Sequence, residues 1–139
     1  MKAICLHQPY ASAIAACIKT VETRDYRTSH RGRIAICSTR RDYPSGREKF
    51  AVLQGIAAKY FPHQAAMFAS WDALPFGHVV CLATIADVRP ADGFTPGIVD
   101  AELGDFSPWR FVWILKEVRP LLSPIPVRGR QGLFNIPDL

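Results

Sequence analysis

Residues 78–88 read HVVCLATIADV. The run is apolar and rich in β-branched residues, with Leu74-Pro75-Phe76-Gly77 as a turn before it and Pro90 after it. It is the longest strand signal in the chain. Arg33 to Thr39 (RIAICST) and Phe111 to Val118 (FVWILKEV) repeat the pattern. Lys2 to Leu6 adds a short apolar strand, Thr20 to Tyr26 an alternating one, and Leu133 to Ile136 a last short one. Strands therefore dominate. Helical spacing is found only from Tyr10 to Cys17, from about Gly46 to Tyr60, and weakly from His63 to Ala69. In the first, Ala11, Ile14, Ala15 and Ile18 share a face. In the second, Phe50, Leu53, Ile56, Ala57 and Tyr60 do. Ser45 with Glu48 predicts a capping box at the start of that second helix. Pro90 to Pro108 reads as a long loop, Leu121 to Val127 as a proline-rich segment, and Gly129-Arg130-Gln131-Gly132 as a tight loop. The expected fold is α+β: a small, partly closed β-barrel of about five or six strands decorated by helices.

The composition fits one domain over residues 1–139. Of the chain, 49% is hydrophobic and 21% charged, too apolar for a disordered segment. No apolar run reaches the roughly 20 residues a membrane span needs. His7, Gln8 and Pro9 cut the N-terminal apolar stretch, which speaks against a signal peptide. A soluble, cytoplasmic protein without a membrane partner is expected. Cys5, Cys17, Cys37 and Cys81 lack the spacing of a zinc knuckle or a redox pair, and each sits in an apolar setting. They read as buried free thiols. No metal and no cofactor is expected.

The net charge is +5, and its distribution is more informative. Lys19 to Lys49 holds nine basic residues against four acidic ones, and Phe106 to the end holds five against two. Between them, Asp72 to Asp105 holds six acidic residues against one basic, with a solvated loop as its default reading. Twelve of the seventeen cations are Arg, the side chain that forks onto phosphates and stacks on bases. If the basic stretches meet in space, they form a cationic face for nucleic acid or nucleotide.

Several separated motifs resemble one family. Leu6-His7-Gln8-Pro9-Tyr10-Ala11-Ser12 leads into Ile18-Lys19-Thr20-Val21-Glu22-Thr23-Arg24 and then His30-Arg31-Gly32. Leu74-Pro75-Phe76-Gly77, Trp113-Ile114-Leu115 and Pro126-Val127-Arg128-Gly129-Arg130-Gln131-Gly132-Leu133-Phe134 follow in order. This is similar to the ASCH domain family of the PUA-like superfamily, whose hallmark is G-x-K-x-x-E-x-R. Cys17 stands where that hallmark has Gly, so a slightly different turn is expected. The resemblance implies a PUA-like barrel and an association with RNA or modified bases. Some members are described as hydrolases of acetylated cytidine and others as ribonucleases.

Carried onto this chain, the resemblance implies a cleft at Lys19, Glu22 and Arg24, with Gln8, Tyr10 and Arg130 nearby as ligand-binding residues. Arg27, Arg31, Arg33, Arg40 and Arg41 would track a nucleic-acid backbone. Arg24 would grip a phosphate or carbonyl, and Glu22 would accept from a base amino group or orient its neighbours. Tyr10, Trp71 and Trp109 are candidates for stacking on bases. RNA or single-stranded nucleic acid is the expected partner, with a modified nucleoside as a smaller ligand. The alternative is a small hydrolase, a ribonuclease or nucleoside amidohydrolase, with Lys19 and Glu22 as catalytic residues. The amidohydrolase members place Thr three positions after the Lys, where this chain has Glu22. For a ribonuclease, His7, Tyr26, His30 and Lys19 are the acid–base candidates. A third reading is a protein-interaction domain of a regulatory complex. The sequence leaves the oligomeric state open.

Overall fold

The computed structural model describes residues 1–139. Strand β1 (Lys2–Leu6) runs into helix α1 (Tyr10–Ala15), then β2 (Val21–Arg24) and β3 (Gly32–Ser38). Helix α2 (Pro44–Tyr60) and two short 3-10 turns (Pro62–Phe68, Trp71–Ala73) lead to β4 (His78–Pro90). Helix α3 (Ile98–Leu103), β5 (Phe111–Pro126) and β6 (Phe134–Asn135) complete the chain. No helix is long and apolar enough to cross a membrane.

The fold is α+β, built on one six-stranded mixed sheet in the order β2-β5-β4-β3-β1-β6. Only β1 and β3 run parallel. The expected barrel is not closed, because the end strands β2 and β6 do not pair with each other. The sheet curls nonetheless. Three register shifts between β4 and β5 bend that pair, as bulges do.

Strand β5 runs eight residues past its expected end at Val118 and through Pro120, Pro124 and Pro126. The reason is positional. Strand β2 covers β5 only from Phe111 to Ile114, so beyond that point β5 has β4 on one side alone. An edge strand tolerates residues that cannot donate to a ladder.

The largest apolar cluster lies between the sheet and α1, with Ile14, Ile34, Ile36, Ile85 and Trp113 at its centre. Trp113 meets the Tyr26 ring edge-on at 5.5 Å, and its indole N–H donates to the Tyr26 carbonyl. A second cluster joins α1 to α2 through Ala13, Ile18, Phe50, Leu53 and Ala57.

Four local expectations are corrected. Helix α2 starts from Tyr43 with Pro44 in its first turn and no side-chain cap, so Ser45 and Glu48 form no capping box. Tyr60 falls outside the buried face at 59% exposure, because it closes the helix beyond the reach of the core. The stretch Pro90 to Pro108 contains α3, anchored by Leu103 in the second cluster. Of the four cysteines, Cys37 and Cys81 are buried, Cys5 is half-buried and Cys17 is exposed.

Candidate functional site

The hallmark segment begins where α1 stops. The Cys17 N–H donates to the Ile14 carbonyl and the Ile18 N–H to the Ala13 carbonyl. That pair of bonds is a Schellman ending, which requires a left-handed residue at its centre. Cys17 supplies it at φ 59°, so the turn the hallmark glycine would make is made here by cysteine. The Cys17 side chain points to solvent.

This ending sends Lys19 inward. Lys19 is 1% exposed, its Nζ donates to the Val21 carbonyl, and Glu22 Oε1 lies 3.6 Å away. Glu22 Oε2 stands 3.7 Å from Arg24, and Oε1 also accepts the Thr23 N–H at 3.0 Å. Glu22 is thus bracketed by two cations, one sealed in the protein and one facing out. Such a buried charge needs partners on every side, and these supply them.

Arg24 opens onto a groove of about 1010 Å³. Five arginines line it: Arg24, Arg40, Arg41, Arg128 and Arg130. Asp25 is the one carboxylate among its lining residues. The end of β1, the end of β3 with the turn after it, and the loop after β5 form its walls. Arg24 comes from β2 at the far edge of the sheet, so the curl of the sheet is what brings the two margins together. Ser38, Thr39 and Gln131 add uncharged polar groups, and Tyr26 an aromatic ring that Arg24 covers at 5.3 Å.

A smaller cavity of about 380 Å³ adjoins it, with His7 and Arg24 shared between the two. Tyr10, Glu22, Tyr43, Lys49, Asp105 and Arg110 are among its walls. The His7 ring stacks on Tyr43 at 4.3 Å, and His7 Nδ1 pairs with the Thr39 hydroxyl at 3.1 Å. Loss of water holds the His7 pKa below its ordinary value, with the Arg24 charge adding to this and Glu22 opposing it. Burial first, then the Glu22 and Tyr43 charges, raise the Tyr10 phenol.

Arg24, Arg40, Arg41 and Arg130 therefore converge, and Tyr10 and Glu22 face the adjoining cavity. Gln8 does not join them. Its amide bonds Ser12 Oγ, the Ser12 N–H and the Pro75 carbonyl, so it is wholly committed to holding the start of α1. Arg27 lies over the Phe111 ring at 4.9 Å, Arg31 pairs with Asp87 at 3.8 Å, and Arg33 is exposed on β3. None of these three lines either cavity. Trp71 packs between Phe50 and Phe76, while Trp109 is 70% exposed away from both cavities.

The acidic stretch is partly structural rather than a solvated loop. Asp100 is buried and accepts from both the N–H and the hydroxyl of Thr20. Arg128 lines the groove and Tyr43, Lys49 and Arg110 line the smaller cavity, and none of the four is a site candidate from the sequence. Arg128 was within reach, because it falls inside the Pro126 to Phe134 motif. Lys49 and Arg110 fall inside the two basic stretches, whereas no local signal marks Tyr43.

Residues 4–124 match the ASCH domain family. Human activating signal cointegrator 1 is 27% identical over 137 residues, which is 94% of this chain and 21% of that protein. The chain thus spans about a fifth of the length of that curated relative. The crystal structure of an ASCH protein from Zymomonas mobilis superposes with a TM-score of 0.56 at 16% identity. It covers 97% of this chain and 86% of that one. Two single-substitution variants of the Zymomonas mobilis protein each give 0.55 at 15% and 16% identity, covering 97% of this chain and 88% and 87% of theirs. At these identities the likeness is one of fold.

Proposed function

Since this chain belongs to the ASCH domain family, we propose that it binds RNA or another single-stranded nucleic acid along the arginine groove. The observation that carries this reading is the convergence of five guanidinium groups on one groove with a single carboxylate among them. A phosphodiester backbone is the ligand such a surface fits, because each fork offers paired donors to phosphate oxygens. The hydroxyl and amide groups at Ser38, Thr39 and Gln131 in the groove suit sugar and base edges. A modified nucleoside in the adjoining cavity is the smaller version of the same reading.

Within the Lys-x-x-Glu-x-Arg motif the roles divide. Arg24 is the ligand-facing member. Lys19 is a positioning residue behind it, and Glu22, which orients Arg24, also faces the smaller cavity. This division favours binding over hydrolysis by Lys19. A general base has to reach the proton it takes, and the Lys19 ammonium is enclosed by Val21 and Glu22.

The test is fluorescence anisotropy with labelled single-stranded RNA at about 50 mM and 200 mM salt, with a gel of the same samples for cleavage. Wild type is expected to bind with an affinity that falls steeply with salt. Arg128→Ala/Arg130→Ala should weaken binding by about a hundredfold or more, since hydrogen bonds to charged groups contribute roughly 1.5–3 kcal/mol each and about 1.4 kcal/mol is tenfold. Binding that ignores salt and survives this double substitution would overturn the reading. Cleaved RNA that requires His7 but not Lys19 would move the protein to the ribonuclease class.

A further inference from the structure

Two of the four thiols are placed to react with each other. In the parallel β1–β3 pair, Cys5 stands directly opposite Cys37. Both belong to the same apolar cluster, so their side chains leave the sheet on one face. Neighbouring strands lie roughly 4.7–4.9 Å apart. Disulfides form across Cα separations of about 4.4–6.8 Å. The strand spacing at this pair therefore falls within the Cα range across which disulfides form.

The two cysteines differ in access. Cys5 is half-buried and lines the arginine groove, whereas Cys37 is sealed beneath it. The loop carrying Arg128 and Arg130 passes over the Cys5 sulfur so closely that a Cβ at Gly129 would lie 2.7 Å from it. The surroundings of Cys5 are electropositive. A hydrogen bond from the Cys37 thiol lowers the Cys5 pKa most, the Arg130 backbone N–H and the Arg24 charge lower it further, and burial opposes them. Reactive thiols sit in partly exposed, electropositive settings of this kind. Cys37 and Cys81 are the contrast: both are fully buried and both thiols are raised, Cys37 by its hydrogen bond to Cys5 and then by burial, Cys81 by burial to about 12.

We propose that Cys5 and Cys37 form a peroxide-reactive dithiol, with Cys5 as the attacking sulfur in the groove and Cys37 as the resolving one. The Cys5 sulfur attacks one peroxide oxygen, the O–O bond breaks, and the leaving hydroxide takes a proton to become water. Cys5 is then a sulfenic acid. The Cys37 sulfur attacks the Cys5 sulfur, the S–O bond breaks, and the hydroxyl leaves with the Cys37 proton as a second water. Two thiols are oxidised to one disulfide and one hydrogen peroxide is reduced to two waters. The inference is independent of what the groove binds.

The experiment uses the full reduced chain treated with a small excess of hydrogen peroxide, then alkylated and mapped by mass spectrometry. The expected product is a species lighter by two hydrogens in which Cys5 is linked to Cys37, while Cys17 and Cys81 remain alkylatable. Dithiothreitol should reverse it. In Cys37→Ser the reaction should stop at the sulfenic acid, which a dimedone probe would label at Cys5. Oxidation of Cys17 ahead of Cys5, or a Cys5 still free after Cys17 has reacted, would overturn the proposal. Wild-type mapping decides the matter even if Cys37→Ser does not fold.

Discussion

Cys17 occupies the left-handed centre of a Schellman ending, a place where a side chain collides with its own backbone. Left-handed geometry costs an ordinary residue roughly 1–2 kcal/mol, while glycine carries an entropic cost of about 0.5–1 kcal/mol. The thiol is exposed, so little packing is lost on removing it. Cys17→Gly is therefore expected to stabilise the protein by about 0.5–1 kcal/mol, read as a higher urea midpoint at unchanged slope. A lower midpoint would mean that the thiol makes a contact the geometry does not reveal. At this scale the sequence was informative about residue type and silent about direction. Lys19, Glu22 and Arg24 were singled out by their resemblance to the family hallmark. Which of them faces the ligand depends on where the helix ending points the next strand, and that ending is closed by backbone bonds no side chain announces.

Helix α2 seats its first turn directly on the Gln8 carbonyl. A Cβ at Gly46 would overlap that backbone oxygen, and the Trp71 ring leaves it no room to the side, at 3.3 Å. Gly46→Ala should accordingly push α2 off the α1 entrance and cost about 1–3 kcal/mol, the range for forcing an extra methyl into a packed site. Thermal unfolding measures it; an unchanged melting temperature would show that the contact relaxes freely. Because Tyr43 and Lys49 ride on this end of α2 and line the smaller cavity, the same substitution should disturb that cavity before it disturbs the arginine groove. Elements with strong periodicity, such as β3 and β4, were legible from alternation or apolar runs alone. Helix α3 was not, because six residues among Gly, Pro and Asp carry too little periodic signal. The length of β5 was hidden too, since proline forbids a strand only where both sides are paired.

The pH profile of the whole molecule follows from groups on several elements. His7 has a depressed pKa in the folded protein. The unfolded chain therefore binds a proton first on acidification, and the stability His7 contributes is lost as pH falls from about 6.5 through its folded value. Asp87, held down by the Arg89 and Val88 hydrogen bonds, and Asp105, held down by those from Ser107, act in the same direction at lower pH. At the alkaline end Cys81 is raised from 9.0 to about 12, so its contribution is full below pH 9 and fades above it. Urea midpoints should thus decline as pH falls below about 6.5, and His7→Gln should remove the His7 share of that decline, while above pH 9 the Cys81 contribution fades. A profile for His7→Gln that matches wild type in the acid window would show that the stacked ring does not titrate with unfolding. By itself the sequence determined the strand-rich α+β class and the excess of arginine in two separated stretches, because these depend on local periodicity and composition, while the hallmark was legible through its resemblance to a known family. Only the tertiary structure decided that Arg24, Arg40, Arg41, Arg128 and Arg130 share a groove while Arg27, Arg31 and Arg33 stand apart from it. That selection is made by the curl of an open sheet, a sum of small twists and register shifts along β4 and β5, and no single residue encodes it.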